Sequence, residues 1–486
     1  MRFLNTSMVS RHNTMLAPMQ HDNFGDNLVH AQTITPTITP TITPLDIMDR
    51  SKMVSLQILT LVLGFLILIT DGFDVASVGY VGPLLRKEWA LTGPQLGPIF
   101  GAGLLGLCLG SFLFGPMADR IGRKRVILIS MVVFGISSLA CAKAPSVGWL
   151  IALRFATGMG LGGALPTMIT LASEFSPART RSLMVTLMLA GFPLGLAFGG
   201  LVAAQLIPSF GWQGVFVFGG LLPLALLPVI WVWLPESLKF MAGKPRHAKE
   251  FRSVLKRLTG DADFSYDDVT APSPAVANGT PAARQQTPAA ILFSAHYRVG
   301  TLLLWLCFFC TLWVYYELSS WLPTVITDAG IDVSRAALVS MMIPLGGILG
   351  GMGNAYLMDR MNPFLVLTGS YVVATIAIVL IGMSIHEPQW IYVIAFMAGA
   401  GLSGAQTGIN VLSAGFYTTA ARATGVSWAL AVGRVGSIIG AMTGGLMLAA
   451  VPSIEIAFVI FALPTVLAAG AMFVLGRLYH GKKAPV

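Results

Sequence analysis

Charged residues are scarce in this chain of 486 residues. Asp, Glu, Lys and Arg together make up 10% of it, whereas 55% is hydrophobic and the mean hydropathy is +0.76. A water-soluble domain carries about 25% charged residues, so the composition excludes a soluble globular protein. It favours a polytopic membrane protein, in which the 53 glycines would serve helix contacts.

Groups that carry enzyme or metal chemistry are also few. The four cysteines, of which Cys307 and Cys310 form a C-x-x-C, lie in apolar stretches with no second pair and no histidine nearby. The sequence shows no nucleotide-binding loop, no metal-ligand cluster and no nucleophile beside a base. We therefore expect no enzyme activity, no metal and no cofactor. Because the chain is not soluble, its net charge of +9 does not indicate a nucleic-acid partner.

The N-terminal segment lacks an apolar run long enough for a signal peptide. It repeats Thr-Ile-Thr-Pro three times between Thr33 and Pro44, and proline at every fourth residue cannot sustain a helix. The pattern predicts a disordered tail over residues 1–50. A translation start at Met48 or Met53 is the alternative.

Twelve apolar segments are long enough to cross a bilayer, which takes about 20 residues. These predicted spans 1–12 cover residues 56–82, 95–116, 126–145, 147–172, 183–207, 214–234, 299–322, 334–357, 364–384, 389–416, 424–450 and 454–476. The fold class is therefore an all-α membrane protein with twelve transmembrane helices in two six-helix bundles. We assign the bundles to residues 51–235 and 298–477, with a linker at 236–297 and a tail at 478–486.

The distribution of positive charge predicts the orientation. If the N-terminus is cytoplasmic, 24 of the 30 Lys and Arg residues fall on the inner side, four fall outside and two lie within spans. Cytoplasmic loops carry such an excess. Both termini are thus predicted to be cytoplasmic.

The two halves of the chain repeat. Adding 241 to a first-half position aligns identical residues without a gap, as in Phe155/Phe396, Gly158/Gly399, Gly163/Gly404, Arg181/Arg422 and Gly199/Gly440. This register indicates a duplication of six helices, an architecture of secondary transporters.

The loop after span 2 carries a motif. It reads Gly-Pro-Met-Ala-Asp-Arg-Ile-Gly-Arg-Lys over residues 115–124, and a degenerate copy runs from Gly353 to Arg360. This resembles the G-x-x-x-D-R-x-G-R-[KR] signature of the major facilitator superfamily. We interpret the motif residues as a conformational gate that latches the two bundles on the cytoplasmic side: Asp119, Arg120, Gly122, Arg123, Asp359 and Arg360.

Further segments narrow the resemblance. Span 1 contains Asp71-Gly-Phe-Asp74, span 4 begins its glycine run at Arg154, span 7 reads Leu-Ser-Ser-Trp-Leu-Pro over 318–323, and span 11 carries Arg434. Together they resemble the aromatic acid:proton symporters, importers of benzoates and hydroxybenzoates. Glu317 departs from the pattern, because a less acidic residue is expected before Leu-Ser-Ser-Trp.

Charges within spans are costly and functional by default. Asp71 and Asp74 lie three residues apart and share a helix face. Two carboxylates this close cannot both ionise cheaply, so we predict that at least one carries the coupled proton. The alternative is that one aspartate caps a helix broken at Gly72 or forms a fixed ion pair.

The substrate is expected to meet arginines and aromatic rings. A guanidinium binds a carboxylate through two parallel hydrogen bonds, although Arg154 and Arg434 could instead form ion pairs with Asp74 or Glu317. Aromatic side chains could sandwich a benzene ring. The predicted substrate-binding residues are Arg154, Trp313, Tyr315, Tyr316, Glu317, Gln406, Asn410 and Arg434.

The sequence thus predicts a proton-coupled importer of a small aromatic carboxylate that works by alternating access. Its partners would be that acid, protons and the lipid bilayer, and it would act as a monomer in the inner (plasma) membrane. Two alternatives remain open: a facilitator for a sugar or another organic anion, and a non-transporting sensor with the same fold.

Overall fold

The computed structural model describes residues 54–242, 244–259, 287–385 and 387–479. The predicted N-terminal tail lies outside them. Sixteen α-helices form the described structure, together with a 3-10 turn at Pro245–His247. In chain order they are α1 Ser55–Glu88, α2 Gly93–Ile121, α3 Arg123–Cys141, α4 Val147–Glu174, α5 Arg181–Leu189, α6 Gly191–Trp233, α7 Leu238–Met241, α8 Ala248–Thr259, α9 Pro288–Leu292, α10 Arg298–Asp328, α11 Val333–Ser340, α12 Met342–Met358, α13 Pro363–Met383, α14 Pro388–Phe416, α15 Thr419–Ala450 and α16 Ile454–Tyr479.

The predicted all-α membrane fold is confirmed. Within the described residues, ten helical stretches are long and apolar enough to span a bilayer. One of them, Arg181–Trp233, has 53 residues and turns at Gly211, where φ is 62°. Because 53 helical residues extend about 80 Å and a bilayer core is about 30 Å thick, this stretch holds more than one crossing. Helix α14, with 29 residues, is also long enough. The count of twelve stays a prediction.

Helix α1 differs from one sequence expectation, because it continues without a break through Gly72. The alternative of a helix broken there was wrong. Gly72 instead allows α6 to approach: a Cβ at this position would lie 2.1 Å from the Phe192 carbonyl oxygen. The two aspartates beside it therefore sit on a rigid helix.

A close contact between a glycine and a phenylalanine carbonyl oxygen occurs at matching places in the two halves. A Cβ on Gly106 of α2 would lie 2.1 Å from the Phe155 carbonyl oxygen of α4, and one on Gly346 of α12 would lie 2.0 Å from that of Phe396 of α14. Phe155 and Phe396 are one of the pairs related by 241 residues. The three-dimensional contacts thus repeat along with the sequence.

The halves meet along α1 and α10 near the predicted outer face. A Cβ on Gly79 would lie 2.4 Å from the Ser319 carbonyl oxygen, and one on Gly82 would lie 3.1 Å from the Thr324 hydroxyl. Beyond them, Arg86 forms an ion pair with Asp328 at the outer ends of the two helices. Helices α2 and α15 also approach closely, as Gly97 packs on the Met442 backbone. The described structure is therefore closed on this face.

The predicted linker contains a helix that the sequence analysis missed. In α8, Phe251, Val254, Leu255 and Leu258 are buried and join the core formed by the first six-helix bundle. Their i, i+3, i+4, i+7 spacing is the signal that could have identified an amphipathic helix. The first part of the linker thus belongs to the N-terminal half.

Candidate functional site

Asp74 and Arg154 form a buried ion pair between α1 and α4. The Arg154 Nη1 lies 2.9 Å from Asp74 Oδ1, and the two side chains are 3% and 1% exposed, respectively. The guanidinium also lies over the Phe216 ring, 5.7 Å from its centroid. Of the alternatives left open for Arg154, this conformation shows the ion pair with Asp74.

A second group of charges joins the two halves. Asp71 of α1 is 1% exposed, and neither carboxyl oxygen has a hydrogen-bond partner in the described structure. Arg434 of α15 is the positive charge that acts on Asp71, and it lies within hydrogen-bonding reach of the Tyr316 hydroxyl of α10. Asp74 and Arg154 thus form an ion pair within the N-terminal half, whereas Asp71 and Arg434 are neighbouring opposite charges on the two halves.

A narrow cleft runs between these groups. It is lined by side chains from α1, α2, α4 and α10: Val75, Val78, Phe100, Gly103, Leu104, Leu107, Arg154, Leu161, Tyr316 and Ser320. Its free volume is about 10 Å³, which is room for about one water molecule. An aromatic ring would therefore require these helices to separate.

The other predicted polar contacts lie around the cleft. Tyr315 packs edge-on against Tyr316, with ring centroids 5.5 Å apart, and lies beside Ser403 of α14. Gln406, nearly one turn further along α14, is half-buried, and its buried Oε1 has no hydrogen-bond partner in the described structure. Asn410 follows one turn later and is exposed. These residues descend from the cleft towards the predicted cytoplasmic face.

Trp313 and Glu317 lie one turn apart on α10 and away from the arginines. Trp313 packs on α15, where a Cβ on Gly440 would lie 2.9 Å from its ring. Glu317 is fully buried, and neither of its carboxyl oxygens has a hydrogen-bond partner in the described structure. The Trp313 indole nitrogen lies near the Glu317 carboxyl without hydrogen-bond geometry. Glu317 therefore does not pair with Arg434, the alternative left open by the sequence.

The predicted gate residues form a network within the N-terminal half. Arg123 Nη2 lies 2.9 Å from Asp119 Oδ1 and 3.4 Å from Glu174 Oε1. Asp119 is 73% exposed, whereas Arg123 is buried. Glu174 also accepts a hydrogen bond from the Ser237 hydroxyl at the start of the linker. The loop after span 2 and the start of the predicted linker thus both contact Glu174 at the end of α4.

Glu236 caps helix α3, a role that the sequence analysis missed. Its Oε1 accepts hydrogen bonds from the backbone N–H groups of Arg123 (2.8 Å) and Lys124 (3.2 Å). A carboxylate stabilises the positive end of a helix. Gly122 makes this possible, because its φ is 106° and a Cβ there would lie 2.3 Å from Glu236 Oε2. The Pro-Glu-Ser sequence after span 6 was the available signal.

The remaining gate residues have fewer contacts. Arg120 and Asp359 are exposed, and Arg360 lies over the Tyr356 ring, 4.2 Å from its centroid. Within the part of the chain that the structure describes, this second copy of the motif forms no ion pair with the first network. Instead, the latch between halves in this conformation is the Arg86–Asp328 ion pair on the opposite face, which the sequence analysis did not identify.

Two repeated helical halves, with charges buried within and between them, are an architecture of secondary transporters. The family model of the Major Facilitator Superfamily matches residues 64–441. The chain belongs to this superfamily, as the sequence resemblance predicted.

Curated relatives narrow the comparison. The chain is 40% identical over 436 residues to the gallate transporter of Pseudomonas putida, covering 89% of this chain and 94% of that protein. It is 39% identical over 424 residues to the 4-hydroxybenzoate transporter PcaK of Acinetobacter baylyi, covering 87% and 92%. The predicted resemblance to aromatic acid transporters is therefore confirmed.

Solved structures share the fold. A bacterial homologue of the human lysosomal transporter Spinster superposes with a TM-score of 0.67 at 19% identity, covering 90% of this chain and 100% of that one. The xylose transporter XylE of E. coli gives a TM-score of 0.68 at 15% identity, covering 88% and 100%. At these identities the likeness shows the fold alone.

Proposed function

We propose that this chain imports an aromatic carboxylate of the benzoate and hydroxybenzoate class together with protons. The observation that carries the proposal is the Asp71–Arg434–Tyr316 group at the contact between the halves. Relatives named for gallate and 4-hydroxybenzoate transport support the substrate class.

The charges suggest how proton and substrate are coupled. Asp74 is held by Arg154 at 2.9 Å, so its carboxylate is already compensated. Asp71 has no hydrogen bond in the described structure and competes with an incoming anion for Arg434. When Asp71 takes up a proton, Arg434 is free to bind the substrate carboxylate through two parallel hydrogen bonds. Each anion is therefore accompanied by a proton.

The aromatic ring of the substrate would occupy the cleft after the cleft has widened. Tyr316 lines the cleft, and Tyr315, Gln406 and Asn410 continue from it along the path towards the predicted cytoplasmic face. Their hydroxyl and amide groups can bond to ring hydroxyls. Trp313 and Glu317 complete the predicted substrate set, although they lie behind this row of residues.

Transport would require movement of the two bundles relative to each other in the inner membrane. Residues 51–235 and 298–477 act as two bundles that rock about the cleft, and the two motif copies, which contain Asp119 and Asp359, control the cytoplasmic side. The protein works as a monomer in the inner membrane with both termini in the cytoplasm. The charge asymmetry of the loops supports this orientation.

Uptake of radiolabelled 4-hydroxybenzoate and gallate tests the function. Cells expressing the chain should accumulate one of these acids faster at low external pH, and a protonophore should abolish accumulation. Arg434→Gln should abolish uptake, whereas Arg335→Gln, which removes an exposed arginine on the predicted outer side, should not. No uptake of any benzoate, with the protein present in the membrane, would refute the substrate class.

Asp71→Asn tests the coupling. An amide resembles the protonated carboxyl, so this variant should still exchange labelled for unlabelled substrate but lose protonophore-sensitive accumulation. Unchanged accumulation would contradict the role of Asp71.

A further inference from the structure

We propose that Glu317 is a second proton-binding site, separate from the Asp71–Arg434 group, and that its protonation permits closure of the outer face. The inference rests on the proposed proton coupling. It concerns a step that needs no substrate, and so it can be tested apart from the substrate class.

Glu317 lies on the face of α10 that packs against α15 and α1. One turn before it, Trp313 packs against Gly440 of α15, and one turn after it, Trp321 packs against Gly444 of the same helix. Seven residues after it, Thr324 lies against Gly82 of α1. Since residues three, four and seven apart share a helix face, the Glu317 side chain projects into the junction of α10 with α1 and α15. The α1–α10 side of this junction separates when the halves part, because these two helices belong to different halves.

Aromatic and backbone contacts close the space between Glu317 and the predicted outer side. The Trp321 indole N–H donates to the Ala441 carbonyl oxygen at 2.9 Å, and its ring meets Phe100 of α2 edge-on at 5.0 Å. Gly79 packs on the Ser319 backbone beside it. The Arg86–Asp328 ion pair closes the end of the helices, about 16 Å above Glu317 at 1.5 Å per residue. In the described structure these contacts lie between Glu317 and the predicted outer side.

Within the described residues, the Glu317 carboxyl has no counter-charge at hydrogen-bonding distance. The charged groups in the middle of the neighbouring helices are Asp71 and Asp74 of α1 and Arg434 of α15, with Arg154 behind them on α4. The other charges of α1 and α15, which are Arg86, Lys87, Glu88 and Arg422, lie at the helix ends. Arg434 and Arg154 act on the aspartates. The neighbour that acts on Glu317 is the uncharged Trp313. The tyrosine facing this region from the same helix, Tyr316, lies within reach of Arg434.

These facts determine the charge of Glu317 in the closed state. A fully buried carboxylate with neither a cation nor a hydrogen-bond donor is strongly disfavoured, whereas the neutral acid is tolerated. Opening the outer face separates α1 from α10 and hydrates the carboxyl, which can then ionise. Closure therefore requires that one proton from the outer side binds to the Glu317 carboxylate. The proton is released when the group next meets water.

A substrate-free labelling experiment tests this inference. Thr324 is fully buried beside Gly82 in the closed state, so a cysteine in Thr324→Cys should react with an external, membrane-impermeant maleimide only when the outer face opens. In an otherwise wild-type chain, labelling should rise with pH, because one linked proton changes the closed-to-open ratio by about tenfold per pH unit. In Glu317→Gln/Thr324→Cys, labelling should be slow at every pH.

The controls separate this site from the substrate site. The chain without Thr324→Cys gives the background from the four native cysteines. Glu387→Cys, exposed on the predicted outer side, corrects for the pH dependence of thiol reactivity. Glu387→Gln/Thr324→Cys removes an exposed carboxylate and should behave as the wild type. Asp71→Asn/Thr324→Cys should keep a pH dependence of labelling, because Glu317 is still present in this variant.

Each outcome bears on the proposal. The proposal is supported if labelling loses its pH dependence in Glu317→Gln/Thr324→Cys but keeps it in the control variants. This holds even if the protein carries no aromatic acid. Labelling that does not vary with pH in the wild-type background, or that varies equally in the Glu317→Gln variant, overturns it. If Glu317→Gln does not reach the membrane, Glu317→Asp decides: a displaced pH midpoint supports the proposal, and an unchanged midpoint overturns it.

Discussion

Removing one member of the Asp74–Arg154 pair should be far more damaging than removing both. At 2.9 Å and an effective dielectric constant of about 20, two unit charges attract by about 6 kcal/mol. Asp74→Asn leaves the Arg154 cation buried at 3% exposure without a counter-charge, beside only the backbone carbonyl of residue 74 at 3.4 Å and the Phe216 ring. Breaking a buried pair in this way costs about 3–5 kcal/mol.

A double-mutant cycle measures the pair directly. Asp74→Asn, Arg154→Gln and the combination should be compared by reversible unfolding of the purified protein in mixed micelles. Each single change should lower the free energy of unfolding by about 3–5 kcal/mol. The combination should lose less than either, because the two amide side chains can hydrogen bond to each other without a buried charge.

Additivity would refute this reasoning. If the double variant lost the sum of the two single losses, the side chains would not act as a pair, and Arg154 would be free for another partner such as the substrate. Arg335→Gln, an exposed arginine, serves as the control and should change stability by no more than about 0.5 kcal/mol.

Three further predictions concern the gate and the outer latch. Gly122→Ala should cost about 1–3 kcal/mol and reduce transport, because alanine cannot easily adopt a φ of 106° and would clash with Glu236; unchanged thermal stability and uptake would contradict this. Asp119→Asn should slow transport while leaving substrate affinity nearly unchanged, since Asp119 is 73% exposed and far from the cleft; a large loss of affinity with normal turnover would contradict the gate role. Asp328→Asn should favour the outer-open state by no more than about 1 kcal/mol, because both partners are well exposed; this should raise Thr324→Cys labelling at most about fivefold.

Much of the fold could be predicted because membrane-spanning helices are recognisable from their length and apolar composition. The runs that became α1 to α4 and α10 to α16 were visible for that reason, and the repeat in register 241 anticipated the matching contacts of Phe155 and Phe396. Helix α8 was missed because it is short and polar overall. Its four apolar residues can be recognised as buried only when the core of the first bundle, against which they pack, is known.

The site was predictable in its members but not in its pairings. Asp71, Asp74, Arg154 and Arg434 are recognisable as charges within apolar runs. Which arginine meets which aspartate depends on the rotation of each helix, and the sequence left those alternatives open. Glu236 and the Arg86–Asp328 latch were missed because they lie at helix ends, where charged residues are common and no single one stands out.

The glycine contacts between α2 and α4, and between α12 and α14, have a consequence for how substrate preference can change. At these points main chain lies against main chain, so the spacing of the helices does not depend on the side chains around them. Substituting a few residues that line the cleft can then alter which substrate fits without changing the spacing of the helices. Exchanging those residues between this chain and a relative of different preference should transfer selectivity with little loss of folding.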